Sequence, residues 1–398
     1  MGLGEPPVIA GGQPFPVRLR GWAFCAFTLT SALLGSIYII TPLLPLMVVN
    51  PRCWRKCMDR LVGFWVVMPG SLMTYMFGAK VRVRGDMIDH SKPAVIIMNH
   101  RSRLDWLYFW NALYTMNPWL CTSEKITLKG VLKYLPGAGW AMACNTYIFL
   151  DRTFSSDRTK LDRIIDYYSR SGYNYQILFY PEGTDKCPLA TERSRKYAEK
   201  KNLVHYDYVL HPRTTGFVHM IQTMRKAGYI NYVYDVTIGF GDCIVQSEIN
   251  FFAHGVCPKD VHYQVRRLNI SDLPLDDKGL SDWLIDLWKD KEEKLRRFYS
   301  VERERREFEN TPGGKDYTMS STAFAGEVLI IFFWCAITAF WLYGFFAVPY
   351  MFSFSVVSCS IFILIQRQWG GVEWLSIESL NYSEKLRNDH TRLCDVTP

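Results

Sequence analysis

No two cysteines in this chain stand at C-x-x-C spacing. The eleven that occur are odd in number and scattered from Cys25 to Cys394, which argues against a disulfide framework and against a zinc site. Cys53 and Cys57 could share a helical face, but two thiols are too few to hold a metal, and no metal site is expected. A basic low-complexity tract is also missing. The formal charge of +8 therefore points to anionic lipid and phosphate-bearing ligands, with no nucleic acid expected. No internal repeat is evident, which sets solenoids aside. A nucleophile elbow is absent as well, so a hydrolase using His100 with a serine such as Ser102 has no support.

Charge is missing altogether from three stretches. Trp22 to Val49 carries none, and one charge at a helix centre would cost about 2.5–3.5 kcal/mol on insertion scales, so this run reads as membrane-embedded. Pro42 and Pro45 should kink its last third. Leu61 to Ala79 is a second uncharged run, interrupted by Pro69-Gly70, and the two suggest a helical hairpin over residues 1–80. Arg52, Arg55, Lys56 and Arg60 lie in its connection, and Arg18, Arg20, Lys80, Arg82 and Arg84 flank its outer ends. Basic residues on every side fit a hairpin held in one leaflet among anionic headgroups. Val328 to Ile365, divided by Gly344 and Pro349, is long enough for two further membrane helices, here assigned to residues 323–370. A polar tail, 371–398, would follow.

Between the apolar ends, β-rich runs alternate with helix-compatible stretches. Ala94–Met98, Tyr147–Leu150, Gln176–Tyr180, Val233–Phe240 and His262–Leu268 read as strands, and Arg103–Tyr114, Asp157–Arg170, Ala190–Lys201 and Phe217–Ala227 as covering helices. The expectation is an α/β domain over 81–275, a mixed sheet flanked by helices. A charged helical segment, 276–322, should follow, with Leu284, Trp288, Leu295 and Phe298 along one stripe. That stripe suits a solvated helix packed by one face, or a membrane-surface helix.

Four segments carry chemistry. Asn99-His100-Arg101-Ser102-Arg103-Leu104-Asp105 follows an apolar strand directly. Residues five apart on one helix do not face each other, so His100 must precede the helix and Asp105 must sit in its first turn. An imidazole oriented by a carboxylate is a general base with its tautomer fixed, although such a pair also occurs as plain structure. Phe179-Tyr180-Pro181-Glu182-Gly183-Thr184 ends another strand in a tight turn, where backbone N–H groups and the Thr184 hydroxyl could face a phosphate. Glu182 could bind a substrate hydroxyl or a nearby arginine; an ordinary turn is the alternative. In Tyr147-Ile148-Phe149-Leu150-Asp151-Arg152 a third strand ends in charge, where Arg152 could grip phosphate or pair with Asp151. Val209-Leu210-His211-Pro212-Arg213-Thr214-Thr215-Gly216 leads from an apolar stretch into a turn.

In this order and at these intervals the four segments resemble the four blocks of the glycerolipid acyltransferases, the family that includes 1-acylglycerol-3-phosphate acyltransferases. Stretches such as Ile96–Arg101, Gly139–Met142, Pro181–Asp185 and Tyr208–Phe217 look like the lysocardiolipin acyltransferase branch. The resemblance implies that His100 and Asp105 are the catalytic pair. It further implies that Arg152, Glu182 and Gly183 help bind the acyl acceptor's phosphate, and that Pro212 belongs to an acyl-donor or packing element; Arg103, Thr184 and Arg213 are further candidates for binding substrate. Where many phosphatidate-forming relatives have arginine after the PEGT turn, Asp185 stands here. A carboxylate beside a terminal phosphomonoester is unfavourable, so a lysophosphodiester acceptor is expected ahead of lysophosphatidic acid. Acyl-CoA would be the co-substrate, no cofactor would be needed, and the endoplasmic reticulum, or a mitochondria-associated membrane, would be the location. A non-catalytic lipid-binding scaffold is the rival from outside the enzyme class.

Overall fold

A computed structural model describes residues 4–9, 11 and 13–394, with side chains of the last helix described to residue 388. Among the described residues eight strands occur in chain order: β1 (Lys80–Gly85), β2 (Ala94–Met98), β3 (Glu124–Lys129), β4 (Ile148–Leu150), β5 (Gln176–Phe179), β6 (Tyr232–Phe240), β7 (Asp260–Asn269) and β8 (Lys315–Tyr317). The chain forms two compact units, each assembled from separated stretches.

The first unit takes residues up to Ala26, Val66–Glu124 and Tyr175–Ile331. Its sheet runs β5-β2-β6-β7-β1-β8. β2 is parallel to β5 and β6, β6 is antiparallel to β7, β1 is parallel to β7, and β8 closes the edge antiparallel to β1. The sheet is therefore mixed, as expected. All five residues of β2 are buried, which is why the strand reads as an unbroken apolar run and not as an alternating one. The helix Asp105–Met116 follows it at once. The helix Asp277–Tyr299 packs on β6 and on the helix Thr214–Lys226, burying the whole predicted stripe of Leu284, Trp288, Leu295 and Phe298.

The second unit takes Phe27–Trp65, Lys125–Asn174 and the chain from Phe332 on. Here β3 and β4 pair in parallel, and the helix Phe154–Ser171 follows β4. Where a polar tail was expected, the helix Val372–Cys394 docks through Val372, Ile377 and Leu380, which are buried. Leu380 lies three residues after Ile377 and eight after Val372, spacings that bring it to the same side of the helix as each, so the segment is amphipathic and not merely polar.

Among the described residues three helical stretches are long and apolar enough to cross a membrane: Phe15–Val49, Ser321–Ala347 and Pro349–Trp369. Along the last two, Phe332, Phe346, Tyr343 and Tyr350 are exposed, the outward aromatic surface of a protein integral to the membrane. Pro349 begins its helix at the position where its missing N–H costs nothing, so the predicted division falls there. Pro42 and Pro45 do not end the helix: Pro42 falls in the first turn of Thr41–Val49 and Pro45 inside it, with a π-helical turn at Ser36–Ile40 ahead of them. Pro69-Gly70, in contrast, does not interrupt the second arm: Pro51–Phe77 is one helix through both residues. Arg55 is not a headgroup-facing residue either; it is buried among Asp59, Cys144, Asn145 and Thr146 of its own unit.

Candidate active site

The end of β2 is fixed before any chemistry begins. Asn99 continues the strand with its side chain, donating to Ile238 O at 3.1 Å and accepting from Ile238 N at 2.9 Å. His100 comes next, outside the helix, and Asp105 is the first helical residue, as the five-residue spacing required. His100 Nδ1 lies 3.0 Å from Asp105 Oδ2. The same oxygen accepts the backbone N–H of Arg101 at 2.7 Å and of Ser102 at 3.0 Å. Asp105 is fully buried, and its Oδ1 meets no donor among the described residues. Burial pushes its carboxyl above the usual range, while His100 and the two amides pull the other way.

With Asp105 on Nδ1, the Nε2 nitrogen of His100 is left for a reaction partner. The imidazole keeps 15% exposure and stacks on Tyr180, ring centres 4.2 Å apart. Ser102 is no nucleophile: it is buried, its hydroxyl donates to Val245 O and accepts from Leu104 N.

The PEGT turn lies beside this pair. Lys186 N–H donates to His100 O at 2.8 Å, and Gly183 N–H closes the turn on Tyr180 O at 3.0 Å. Gly183 has φ +72°, the left-handed region, and a Cβ there would come within 3.3 Å of Arg213 Cδ. Arg213 N–H in turn donates to Pro181 O at 2.8 Å, so the turn and the Pro212 segment form one surface. Pro212 itself is buried, which fits packing, and Arg213 is exposed. Thr184 is half-buried, with its hydroxyl 3.5 Å from Asp185 Oδ1.

Two expectations fail on geometry. Glu182 does not reach outward to substrate: only 3% exposed, it accepts Trp288 Nε1 at 3.2 Å and faces the backbone amides of His100 and Leu210. Asp185 does not face the acceptor either. It is buried, accepts Gln246 Nε2 at 2.8 Å and lies 3.4 Å from Arg103 Nε, so its charge is taken up inside the protein and gives no argument about headgroup. Arg103 is correspondingly engaged, with Glu248 3.7 Å away on its other side. Arg152 belongs to the second unit, exposed after β4 with φ +63°, while Asp151 is held by Lys160 and Ser156.

The helix Asp277–Tyr299 supplies residues that the sequence did not single out. Besides Trp288, its Glu292 accepts three successive N–H groups, from Asp207 at 2.8 Å, Tyr208 at 2.8 Å and Val209 at 3.1 Å, and so fixes the approach to Leu210 and Pro212. Lys291 is buried on Asp235. A charged helix whose lysine and glutamate fall within its apolar stripe was the one available signal.

Burial pushes the Glu182 carboxyl up to about 8, against the pull of Trp288, the two amides and the charge of Lys291. The unfolded chain would ionise it near about pH 4.3. The folded state thus holds an extra proton between those values: the residue's contribution is complete below the lower one and lost as pH rises through the upper. Glu182→Gln should keep the fold at neutral pH and flatten the decline of the unfolding temperature by several degrees between about pH 5 and about pH 8. Equal slopes in detergent-solubilised parent and variant would place the ionised form in the fold.

A mixed α/β sheet with a carboxylate-held imidazole at a strand end, in a chain with membrane helices, defines the class of membrane-bound acyltransferases. The comparisons agree. The acyltransferase family matches residues 80–241, and the acyltransferase C-terminus matches 252–324. A lysophosphatidylinositol acyltransferase 10 of Caenorhabditis elegans is 47% identical over 71% of this chain and 73% of its own length. The Danio rerio lysocardiolipin acyltransferase 1 is 39% identical over 72% of this chain and 73% of its own. The Gallus gallus lysocardiolipin acyltransferase 1 is 33% identical over 95% of this chain and 99% of its own. The chain belongs to the glycerolipid acyltransferase family and is an O-acyltransferase.

Proposed function

We propose that this enzyme re-acylates a lysophospholipid from acyl-CoA, with His100 as general base and Asp105 as its orienter, in the endoplasmic reticulum membrane. The observation that carries the reading is the 3.0 Å contact between His100 Nδ1 and an Asp105 oxygen that also accepts two backbone amides. An ionised Asp105 keeps the imidazole proton on Nδ1 and the lone pair on Nε2. Nε2 takes the proton of the acceptor hydroxyl as that oxygen attacks the thioester carbonyl; the carbon–sulfur bond then breaks, and the imidazolium returns the proton to the departing CoA thiolate. No covalent acyl-enzyme and no metal enter this route, since a thioester is already activated enough for a placed base and oxyanion donors.

The acceptor class rests on the relatives, whose names specify lysophosphatidylinositol and lysocardiolipin. With Arg103 engaged by Asp185 and Glu248, exposed Arg213 beside the PEGT turn is the cation that suits a phosphodiester. A panel of lysophospholipids with one labelled acyl-CoA tests this. Label should enter lysophosphatidylinositol, lysophosphatidylglycerol or lysocardiolipin about tenfold faster than lysophosphatidic acid, a difference of about 1.4 kcal/mol in the transition state. Preference for lysophosphatidic acid would move the enzyme to the phosphatidate-forming group, and CoA release independent of any lysolipid would remove transfer altogether.

A further inference from the structure

The segment ahead of the first apolar helix has no part in the reading so far, yet it is tied to the first unit along its length. Gly4 N–H donates to Tyr299 O at 2.7 Å, and Arg306 Nη2 donates to Gly4 O at 2.7 Å. Ile244 N–H donates to Pro7 O and Ile9 N–H to Ile244 O, both at 3.0 Å, a parallel bridge around Val8. Four such ties in six residues make this segment a strap.

The strap delivers one carboxylate. Glu5 bonds Arg101 Nε and lies 3.5 Å from Lys186 Nζ. Both cations are nearly closed to solvent, with side chains 7% and 10% exposed. The other acceptors of the Arg101 guanidinium are neutral, Lys186 O at 3.0 Å and Gln246 Oε1 at 2.8 Å. Each cation's backbone is also one hydrogen bond from the reacting pair: Arg101 N–H donates to Asp105 Oδ2 at 2.7 Å, and Lys186 N–H donates to His100 O at 2.8 Å.

We infer that Glu5 is a positioning residue for His100 and Asp105, pairing with Arg101 and Lys186 so that their amides stay on the carboxylate and on the His100 carbonyl. The inference rests on the general-base reading of His100. A buried cation stripped of its anion moves toward water, because the uncompensated charge is costly to keep inside. Arg101 Nη1 is bonded to Lys186 O, so a guanidinium that shifts lets go of the same residue whose backbone amide holds His100 O. The carboxylate and the imidazole would then lose the fixed geometry that proton transfer needs.

Full-length Glu5→Ala, Glu5→Gln and Glu5→Asp proteins in microsomes test this, with His100→Ala beside them and folding followed by thermal unfolding in detergent. In Glu5→Ala, kcat should fall about 10- to 100-fold, the cost of a small misplacement of a catalytic group. KM for lysolipid and for acyl-CoA should stay within about twofold, as for an interaction felt in the transition state. Sodium acetate, which can refill the vacated carboxylate position, should restore much of the rate to Glu5→Ala and none to Glu5→Gln, with sodium chloride as the ionic-strength control. Glu5→Asp should fall between parent and Glu5→Ala. A folded Glu5→Ala enzyme with parental kcat overturns the inference, and so does a loss that acetate leaves untouched. Failure of both Glu5→Ala and Glu5→Gln to fold would make the strap a folding element and overturn it too. Should His100→Ala stay active, the general-base reading falls and takes this inference with it; should His100→Ala be inactive while Glu5→Ala turns over normally, only the inference falls.

Discussion

His100→Ala should lower acyl transfer by about 10²- to 10⁴-fold, the range a placed general base supplies, while the protein still inserts in membranes. The fold should survive because, among the described residues, the imidazole's hydrogen-bonded partner is Asp105, which keeps the Arg101 and Ser102 amides on the same oxygen. Asp105→Asn should behave differently from the usual loss of a triad carboxylate. All three donors fall on Oδ2, and Oδ1 meets none among the described residues. Two backbone amides therefore demand an oxygen at the Oδ2 position, and an asparagine would turn its NH₂ toward the empty side. His100 keeps its tautomer in that variant and loses only the charge that stabilises the imidazolium. Its rate should lie about tenfold or more above that of His100→Ala, a difference of about 1.4 kcal/mol in the barrier. Initial rates with labelled acyl-CoA decide both points: an alanine variant within tenfold of the parent removes His100 from the chemistry, and an asparagine variant as slow as it means that the amides do not hold the carboxylate's orientation.

What could be read in the sequence, and what could not, follows from how far apart the interacting residues lie. The β2 run and the His100-to-Asp105 spacing are local, and a fully buried strand ending at a helix start can be recognised from six or seven residues. β1 and β3 escaped because charge conceals them. Arg82 and Arg84 alternate with the valines of β1 and look like a membrane flank, and Glu124 and Lys125 open β3 although both are buried. The direction of Asp185 depends on Gln246, sixty-one positions away, and that of Glu182 on Trp288, one hundred and six positions away. Arg101 and Glu5 are separated by ninety-six residues and an apolar helix. Motif spacing can place a residue on a turn; it cannot say whether the side chain turns to ligand or to a partner brought up by the fold.

The same limit applies in the second unit, where the largest stability effect is expected. Arg55 and Lys125 are buried at 1% and 0% exposure and share Asp59: Arg55 Nη2 lies 2.9 Å and Lys125 Nζ 2.6 Å from Asp59 Oδ1. Both also donate to Asn145 Oδ1, at 2.9 and 2.8 Å, and Arg55 Nη1 reaches Cys144 O at 2.9 Å. Thr146, at the end of this knot, has φ +54°, a conformation that a β-branched residue adopts only when its surroundings impose it. Asp59→Ala would take from two buried cations the carboxylate they share. Removing one partner of a buried pair costs about 3–5 kcal/mol, a large share of the roughly 5–15 kcal/mol by which a folded domain is stable. The variant should lose most of its folded yield and unfold well below the parent in detergent, whether or not substrate is present. Replacing all three residues by apolar ones, as Arg55→Met, Asp59→Leu and Lys125→Met together, should recover much of that loss, because the penalty arises from burying the two cations without the carboxylate they share. An Asp59→Ala protein that melts with the parent would mean that neutral acceptors alone can hold both cations, and the knot would then be a matter of local conformation and not of charge.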